Sequence, residues 1–285
     1  MAERIDTEPT AKEPTGTERT STERTAAAPA EAAAVRPLPG SGREGRPEAG
    51  TGPARPRWWR RPWVAPLAVV ALAFLAFSLP PYLSLDPSLS RVPAPEGFAA
   101  YYPLLVAHIL FGAVAMVTCC LQIWPWLRQR HPAVHRTAGR VYVLGGVLPA
   151  GALGLVIGAL SPFGPVARVS NVILAALWLA FTVTGFRMAR QRRFADHRRW
   201  MVRSFALTMS IITNRIWGAI AAIILVPQLE TTFGGSDVAL VQAISGLATW
   251  LGWTTSLLLA EWWLERADAA RRRRRTAGAA RRLPA

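Results

Sequence analysis

Six long apolar runs constrain this chain more than any other feature of its sequence. Each run approaches the roughly 20 residues that an α-helix needs to cross the hydrocarbon core of a bilayer. Hydrophobic residues make up 51% of the chain and gather in these runs, which argues against a soluble enzyme. The runs predict membrane spans at about 64–83, 103–126, 138–160, 169–188, 201–226 and 238–263. The sequence therefore predicts an all-α, polytopic membrane protein with six transmembrane helices.

The two ends of the chain, outside the apolar runs, differ in amino-acid composition. Residues 1–56 contain short Thr- and Glu-rich repeats and then mainly Ala, Pro and Gly, with almost no large apolar side chains. Such a segment cannot bury enough surface to offset the entropy lost on folding, and no apolar stretch follows Met1 as in a signal peptide. We predict a disordered cytoplasmic tail at 1–56, a transmembrane domain at 57–265 and a basic cytoplasmic tail at 266–285.

Arginines predict the orientation of the helices in the membrane. The net charge is +16, and the basic residues alternate between loops that are rich and poor in arginine. The rich segments contain Arg55, Arg57, Arg60, Arg61, Arg128, Arg130, Arg136, Arg140, Arg187, Arg190, Arg192, Arg193, Arg198, Arg199, Arg266, residues 271–275, Arg281 and Arg282. The opposite loops contain only Arg91 and Arg168. By the positive-inside rule, both termini are expected in the cytoplasm, with the helices in the plasma (inner) membrane.

Polar residues within the spans are informative because each is costly in hydrocarbon. Sorted by depth they form two layers. The outer layer contains His108, Asn171, Asn214, Arg215 and Gln242. The inner layer, at the expected cytoplasmic ends of the helices, contains Gln122, His135, Arg136, Arg140, Tyr142, His197, Trp200, Arg203 and Glu261. The inner layer is the predicted ligand-binding site, whereas His108, Asn214 and Arg215 are predicted to be the intramembrane polar residues.

Several of these residues stand in recognisable motifs. The pair His108 and Gln122, the segment 131–142 (HPAVHRTAGRVY), the segment 197–204 (HRRWMVRS) and Arg215 follow one another along the chain. Over about residues 100–220 the chain resembles the bacterial membrane-protein family catalogued as domain of unknown function 2306. The resemblance implies a polytopic membrane protein and brings no activity with it.

Three functions fit the sequence. Clustered arginines suit an anionic group, so the first is a non-enzymatic protein whose inner layer binds an anionic lipid headgroup or a phosphorylated ligand. The second is a redox protein linked to haem or quinone, similar to cytochrome b561, with haem b between His135 and His197. The third is a small-molecule transporter with His108 and Arg215 on the substrate path. The sequence contains no motif of nucleophilic or acid–base catalysis, so we expect no catalytic residues, no metal site and no required cofactor. The expected partner is the lipid bilayer rather than nucleic acid, because the arginines flank apolar runs.

Overall fold

The computed structural model describes residues 63–280, so the predictions for the N-terminal tail and for residues 281–285 lie outside the described range. Within that range the chain forms α-helices joined by short connections, and no strand. The helices are α1 (Val64–Ser78), α2 (Pro80–Leu83), α3 (Tyr101–Ile123), α4 (Pro125–Arg130), α5 (Pro132–Arg140), α6 (Leu148–Ala159), α7 (Pro165–Arg190), α8 (Phe194–Leu225) and α9 (Asp237–Ala280). The predicted all-α class is confirmed.

Five helical stretches are long and apolar enough to cross a membrane. They are Tyr101–Ile123, Pro132–Ala159, Pro165–Arg190, Phe194–Gln228 and Asp237–Arg274. These correspond to the second to sixth predicted spans. The first span is shorter, because α1 has 15 residues and the consecutive Pro80 and Pro81 lack the N–H groups that would continue its hydrogen bonds. Leu79 keeps helical dihedral angles, so α2 follows α1 almost directly. The first of the six predicted spans therefore stays a prediction.

The helices extend beyond the apolar runs at the end of the bundle where arginines are abundant. The helix α8 begins at Phe194 rather than near residue 201, and α9 continues to Ala280, past the predicted end of the last span at residue 263. Arg and Ala have high helix propensity, so these polar segments continue the helices outside the apolar region. We name the end of the bundle where arginines are abundant the Arg-rich end. The opposite end, which contains the connections 84–100, 160–164 and 229–236, is the Arg-poor end.

The helix between α5 and α6 is widened. Residues Val141–Val147 form a π-helical segment that connects the two α-helices without a break. Pro149, near the start of α6, cannot donate a backbone hydrogen bond and would crowd the carbonyl group of Gly145 in a regular α-helix. A wider turn keeps the proline ring clear of the preceding carbonyl group, and a π-helical turn within an α-helix provides it. The apolar run predicted a membrane span at about 138–160, and the structure adds that this stretch contains a π-helical segment near its start.

The widened segment lies in the centre of the bundle. Tyr142, Val143 and Val147 are buried against Ala115 and Met116 of α3. The packing is close, because a Cβ atom on Gly146 would lie 2.9 Å from the Cα atom of Ala115. The helices α7, α8 and α9 pack on the other side of this core, whereas α1 contacts mainly α3 and α8.

Candidate functional site

A cavity of about 340 Å³ lies in the Arg-poor half of the bundle and is partly open. Helices α1, α3, α6, α7, α8 and α9 all contribute to its wall. Most of the lining is apolar, with Leu75, Leu105, Ile109 and Met116 among the side chains that form it. Cavities of this volume, lined by apolar groups and a few polar ones, are typical of small-molecule binding sites.

Four polar side chains from three helices converge on this cavity. His108 of α3, Asn171 of α7, and Asn214 and Arg215 of α8 all line it. The sequence placed these four in one layer by depth, and the structure brings them together around one space. Gln242, the fifth member of that layer, does not line the cavity and packs against Gly164 instead.

These polar groups have unused hydrogen-bonding capacity. Within residues 63–280, the side chains of Asn171, Asn214 and Arg215 form no hydrogen bond with the protein, and Arg215 has no carboxylate within 4.0 Å. Polar groups within a membrane are costly unless they find a partner, or face water or a ligand. The cavity is a space that all three side chains share and that has room for such a partner.

His108 has one ring nitrogen engaged and one available. Its Nδ1 atom donates a hydrogen bond of 2.8 Å to the carbonyl oxygen of Ala150 on α6. In the neutral ring this bond leaves Nε2 as a hydrogen-bond acceptor. The ring also lies close to Gly154, where a Cβ atom would be 3.2 Å from the Cε1 atom of His108. Glycine on α6 thus provides the room that the imidazole ring occupies.

Buried hydroxyl groups close the cavity toward the Arg-rich end. Thr208 and Trp178 line the cavity, and Trp178 Nε1 donates a 3.0 Å hydrogen bond to Thr208 Oγ1. The hydroxyl of Tyr142, a residue only 1% exposed, lies 2.8 Å from Thr208 Oγ1 and 2.5 Å from Ser204 Oγ. Ser204 Oγ in turn lies 2.6 Å from Thr182 Oγ1. We name Tyr142, Trp178, Thr182, Ser204 and Thr208 the hydroxyl cluster, and it joins the π segment to α7 and α8.

Arg203 and Glu261 of the predicted inner layer form an ion pair. Arg203 Nε and a terminal nitrogen donate hydrogen bonds of 2.5 and 2.8 Å to the two carboxylate oxygens of Glu261, which joins α8 to α9. The guanidinium group also lies 4.8 Å from the ring centre of Trp200. These three residues are therefore brought together, but Arg203 already has its counter-ion.

The remaining inner-layer residues are distributed over other contacts. Gln122 donates a hydrogen bond of 2.9 Å to the carbonyl oxygen of His135, and His197 Nδ1 donates one of 2.8 Å to that of Gly185. The Nδ1 atom of His135 is buried and has no hydrogen-bond partner in the described part of the chain. Arg136 and Arg140 are exposed on α5. No inner-layer residue lines the 340 Å³ cavity, and their role in ligand binding stays a prediction.

Most of the hydroxyl cluster was not predicted from the sequence. Only Tyr142 was predicted as a site residue, whereas Thr182, Ser204, Thr208 and Trp178 were not. A signal was present in the spacing, since Ser204 and Thr208 are four residues apart on α8, as are Trp178 and Thr182 on α7. Residues at this spacing share a helix face, so each pair predicts a small polar contact between helices.

The comparison with known families agrees with this architecture. A family model described as "Predicted membrane protein (DUF2306)" matches residues 105–264. No curated protein and no solved structure matches the chain. The family match confirms the resemblance seen in the motifs and extends it through most of α9, so that it includes His108, the hydroxyl cluster, Arg215 and Glu261. Because the match covers more than half of the chain, this protein belongs to the DUF2306 family of predicted membrane proteins.

Proposed function

We propose that this protein binds a small amphipathic molecule in the cavity of its Arg-poor half. The observation that carries the proposal is the convergence of His108, Asn171, Asn214 and Arg215, with unused hydrogen-bonding groups, on one mainly apolar space. The volume of about 340 Å³ is at the lower end of the range for small-molecule sites. An apolar wall with a few polar groups suits a ligand that has an apolar body and a polar end.

The hydroxyl cluster supports a site reached from one end of the bundle. It closes the cavity toward the Arg-rich end, whereas residues of the Arg-poor connections, such as Arg91 and Phe163, take part in the lining. With the Arg-rich end in the cytoplasm, as the arginines predict, the ligand enters from the outer side of the plasma membrane. This arrangement fits the uptake step of a transporter as well as simple binding.

Heavy-atom quenching of tryptophan tests the proposal. Trp178 and Trp253 line the cavity, so a bromine-tagged decanol bound there quenches their fluorescence. With the full chain in phosphatidylcholine nanodiscs, we expect saturable quenching that untagged decanol reverses. Gly112 lines the cavity, and a Cβ atom added to it would meet no neighbouring atom within 4 Å. Gly112→Leu should therefore fill the cavity with little strain and remove the saturable component.

A matched control separates the cavity from the lipid-facing surface. Val117 lies on the same helix and is 41% exposed, so Val117→Leu leaves saturable quenching unchanged. Quenching that is unsaturable in the wild-type protein, or that Gly112→Leu does not reduce, contradicts the proposal.

A second candidate concerns the Arg-rich end, where an anionic lipid headgroup binds at Arg136 and Arg140. Both are exposed, are four residues apart on α5 and have no carboxylate within 4.0 Å in the described part of the chain. Two guanidinium groups on one helix face suit a phosphate group. Adding anionic lipid is expected to raise the melting temperature, and Arg140→Gln is expected to remove that gain. Arg273→Gln, a change on the polar extension of α9, serves as the control, and an equal loss in both variants contradicts this candidate.

A further inference from the structure

The charges around the cavity are all of one sign. Arg91 from the connection after α2 and Arg215 from α8 line it, and no Asp or Glu of the described residues does. Arg91 also stacks on Phe77, with its guanidinium carbon 4.2 Å from the ring centre, which holds it at the cavity wall. Two positive charges in a partly apolar space repel each other, and an anion between them relieves that repulsion.

Arg203 and Arg215 both lie on α8 but differ in their depth in the span and in their counter-ions. Arg203, near the Arg-rich end, has both of its carboxylate contacts from Glu261. Arg215 lies deeper in the span, ten residues before the end of α8 at Leu225, which is about 15 Å along the helix axis. A charged side chain at that depth is costly in a membrane unless it is paired or meets water or a ligand. The described part of the chain therefore supplies a carboxylate for Arg203, near the end of the span, and none for Arg215, which lies deeper.

The neighbours of Arg215 do not replace a counter-ion. Asn171 and Asn214 line the same cavity, but neither forms a hydrogen bond with the guanidinium group. The hydrogen-bonding groups of Arg215 therefore have no partner within residues 63–280 and are available to a ligand. Guanidinium groups present paired donors that match the two oxygens of a carboxylate or a phosphate.

Resting on the proposed function, we infer that the ligand is an amphipathic anion, with a carboxylate or phosphate headgroup at Arg215 and Arg91 and an apolar body along the cavity wall. The headgroup lies between Arg91, in an Arg-poor connection, and Arg215, inside the span. Apolar side chains such as Ile109 and Met116 line the same cavity and contact the apolar body. His108 Nε2 accepts a hydrogen bond from a protonated group of the ligand or from water between ligand and protein.

Displacement of the bromine-tagged decanol tests the inference with four competitors: decanoate, decyl phosphate, decanol and inorganic phosphate. Charge-assisted hydrogen bonds predict that decanoate and decyl phosphate each need at least about a tenfold higher concentration to displace the probe from Arg215→Gln than from the wild-type protein. Decanol should displace it equally from both, which also shows that the variant is folded. Arg215→Lys keeps the charge but loses the paired donors, so it should retain part of the preference.

Arg168→Gln is the matched control, because Arg168 is at the same end of the bundle and does not line the cavity. An equal loss in Arg168→Gln means general attraction of anions to this end and overturns the inference. Unchanged displacement by decanoate and decyl phosphate in Arg215→Gln also overturns the inference. Saturable decanol binding would in that case still support the proposed function. If inorganic phosphate displaces the probe as strongly as decyl phosphate does, the inference that the ligand has an apolar body is overturned. The absence of saturable binding for every probe overturns the proposed function itself.

Discussion

Tyr142 and Tyr102 differ in what their hydroxyl groups meet. The hydroxyl of Tyr142 contacts Ser204 and Thr208, whereas that of Tyr102 is buried and has no hydrogen-bond partner within residues 63–280. Removing a satisfied buried hydroxyl loses its bonds, so Tyr142→Phe should lower the free energy of unfolding by about 1–2 kcal/mol. Tyr102→Phe removes an unsatisfied group and should be neutral or stabilising. Thermal unfolding in one detergent compares the two variants, and equal losses would mean that the hydroxyl cluster does not stabilise the bundle.

The ion pair between Arg203 and Glu261 should be worth more than the one between Arg199 and Asp268. The side chain of Arg203 is 16% exposed and binds both carboxylate oxygens, whereas that of Arg199 is 46% exposed. We expect Glu261→Gln to cost about 1–2 kcal/mol and Asp268→Asn less than about 0.5 kcal/mol. A double-mutant cycle with Arg203→Gln isolates the pair, and a coupling energy near zero would argue against it.

At the scale of helices, glycines determine how closely α8 and α9 approach. A Cβ atom on Gly252 would lie 2.8 Å from the backbone Cα atom of Asn214, whereas one on Gly218 would meet Ala248 at an ordinary 3.5 Å. Gly252→Ala should therefore destabilise the protein by about 1–3 kcal/mol through overpacking. Gly218→Ala should be neutral or stabilising by up to about 1 kcal/mol, because alanine favours a helix. Melting temperatures of the two variants provide the measurement, and a stable Gly252→Ala protein would show that the helices can separate locally.

Helix positions could be predicted from the sequence, whereas helix ends and irregular turns could not. Five apolar runs correspond to long helices because hydropathy depends on composition alone. The early start of α8 at Phe194 was missed because its first turns are polar and continue outside the apolar region. The π segment Val141–Val147 was missed because its cause is the crowding of Pro149 against the preceding turn, which hydropathy does not measure.

For the whole molecule, reporter fusions test the orientation of every helix. Fusions after residues 61, 127, 190 and 266 should report a cytoplasmic position, because they follow or precede the Arg-rich segments. Fusions within 86–98, 162–164 and 228–236 should report an external position. The fusions on either side of α1 decide the number of spans, since the same result at 61 and within 86–98 would leave five.

The depth of the site residues along the helices could be predicted from the sequence, but their positions around the bundle axis could not. Arginine counts and helix positions placed His108, Asn171, Asn214, Arg215 and Gln242 at similar depth. Which of them face one another depends on the rotation and packing of each helix. Four line the cavity, and Gln242 packs against Gly164. The counter-ion of Arg203 was also not assigned, although Glu261 was placed at the same level, because depth alone does not show which side chains touch.

The widened turn at Val141–Val147 has a consequence for how the gene can change. In a regular helix, loss of one codon rotates every later residue by about 100° and turns its apolar side chains away from their neighbours. A π segment contains a surplus residue, so losing one codon there restores α-helical hydrogen bonding and keeps the residues after it in place. Such a deletion is expected to keep the rest of the span in place but to turn side chains of the segment itself, including Tyr142, away from their present contacts. Lineages that have lost the codon should therefore also have replaced the polar partners of that tyrosine.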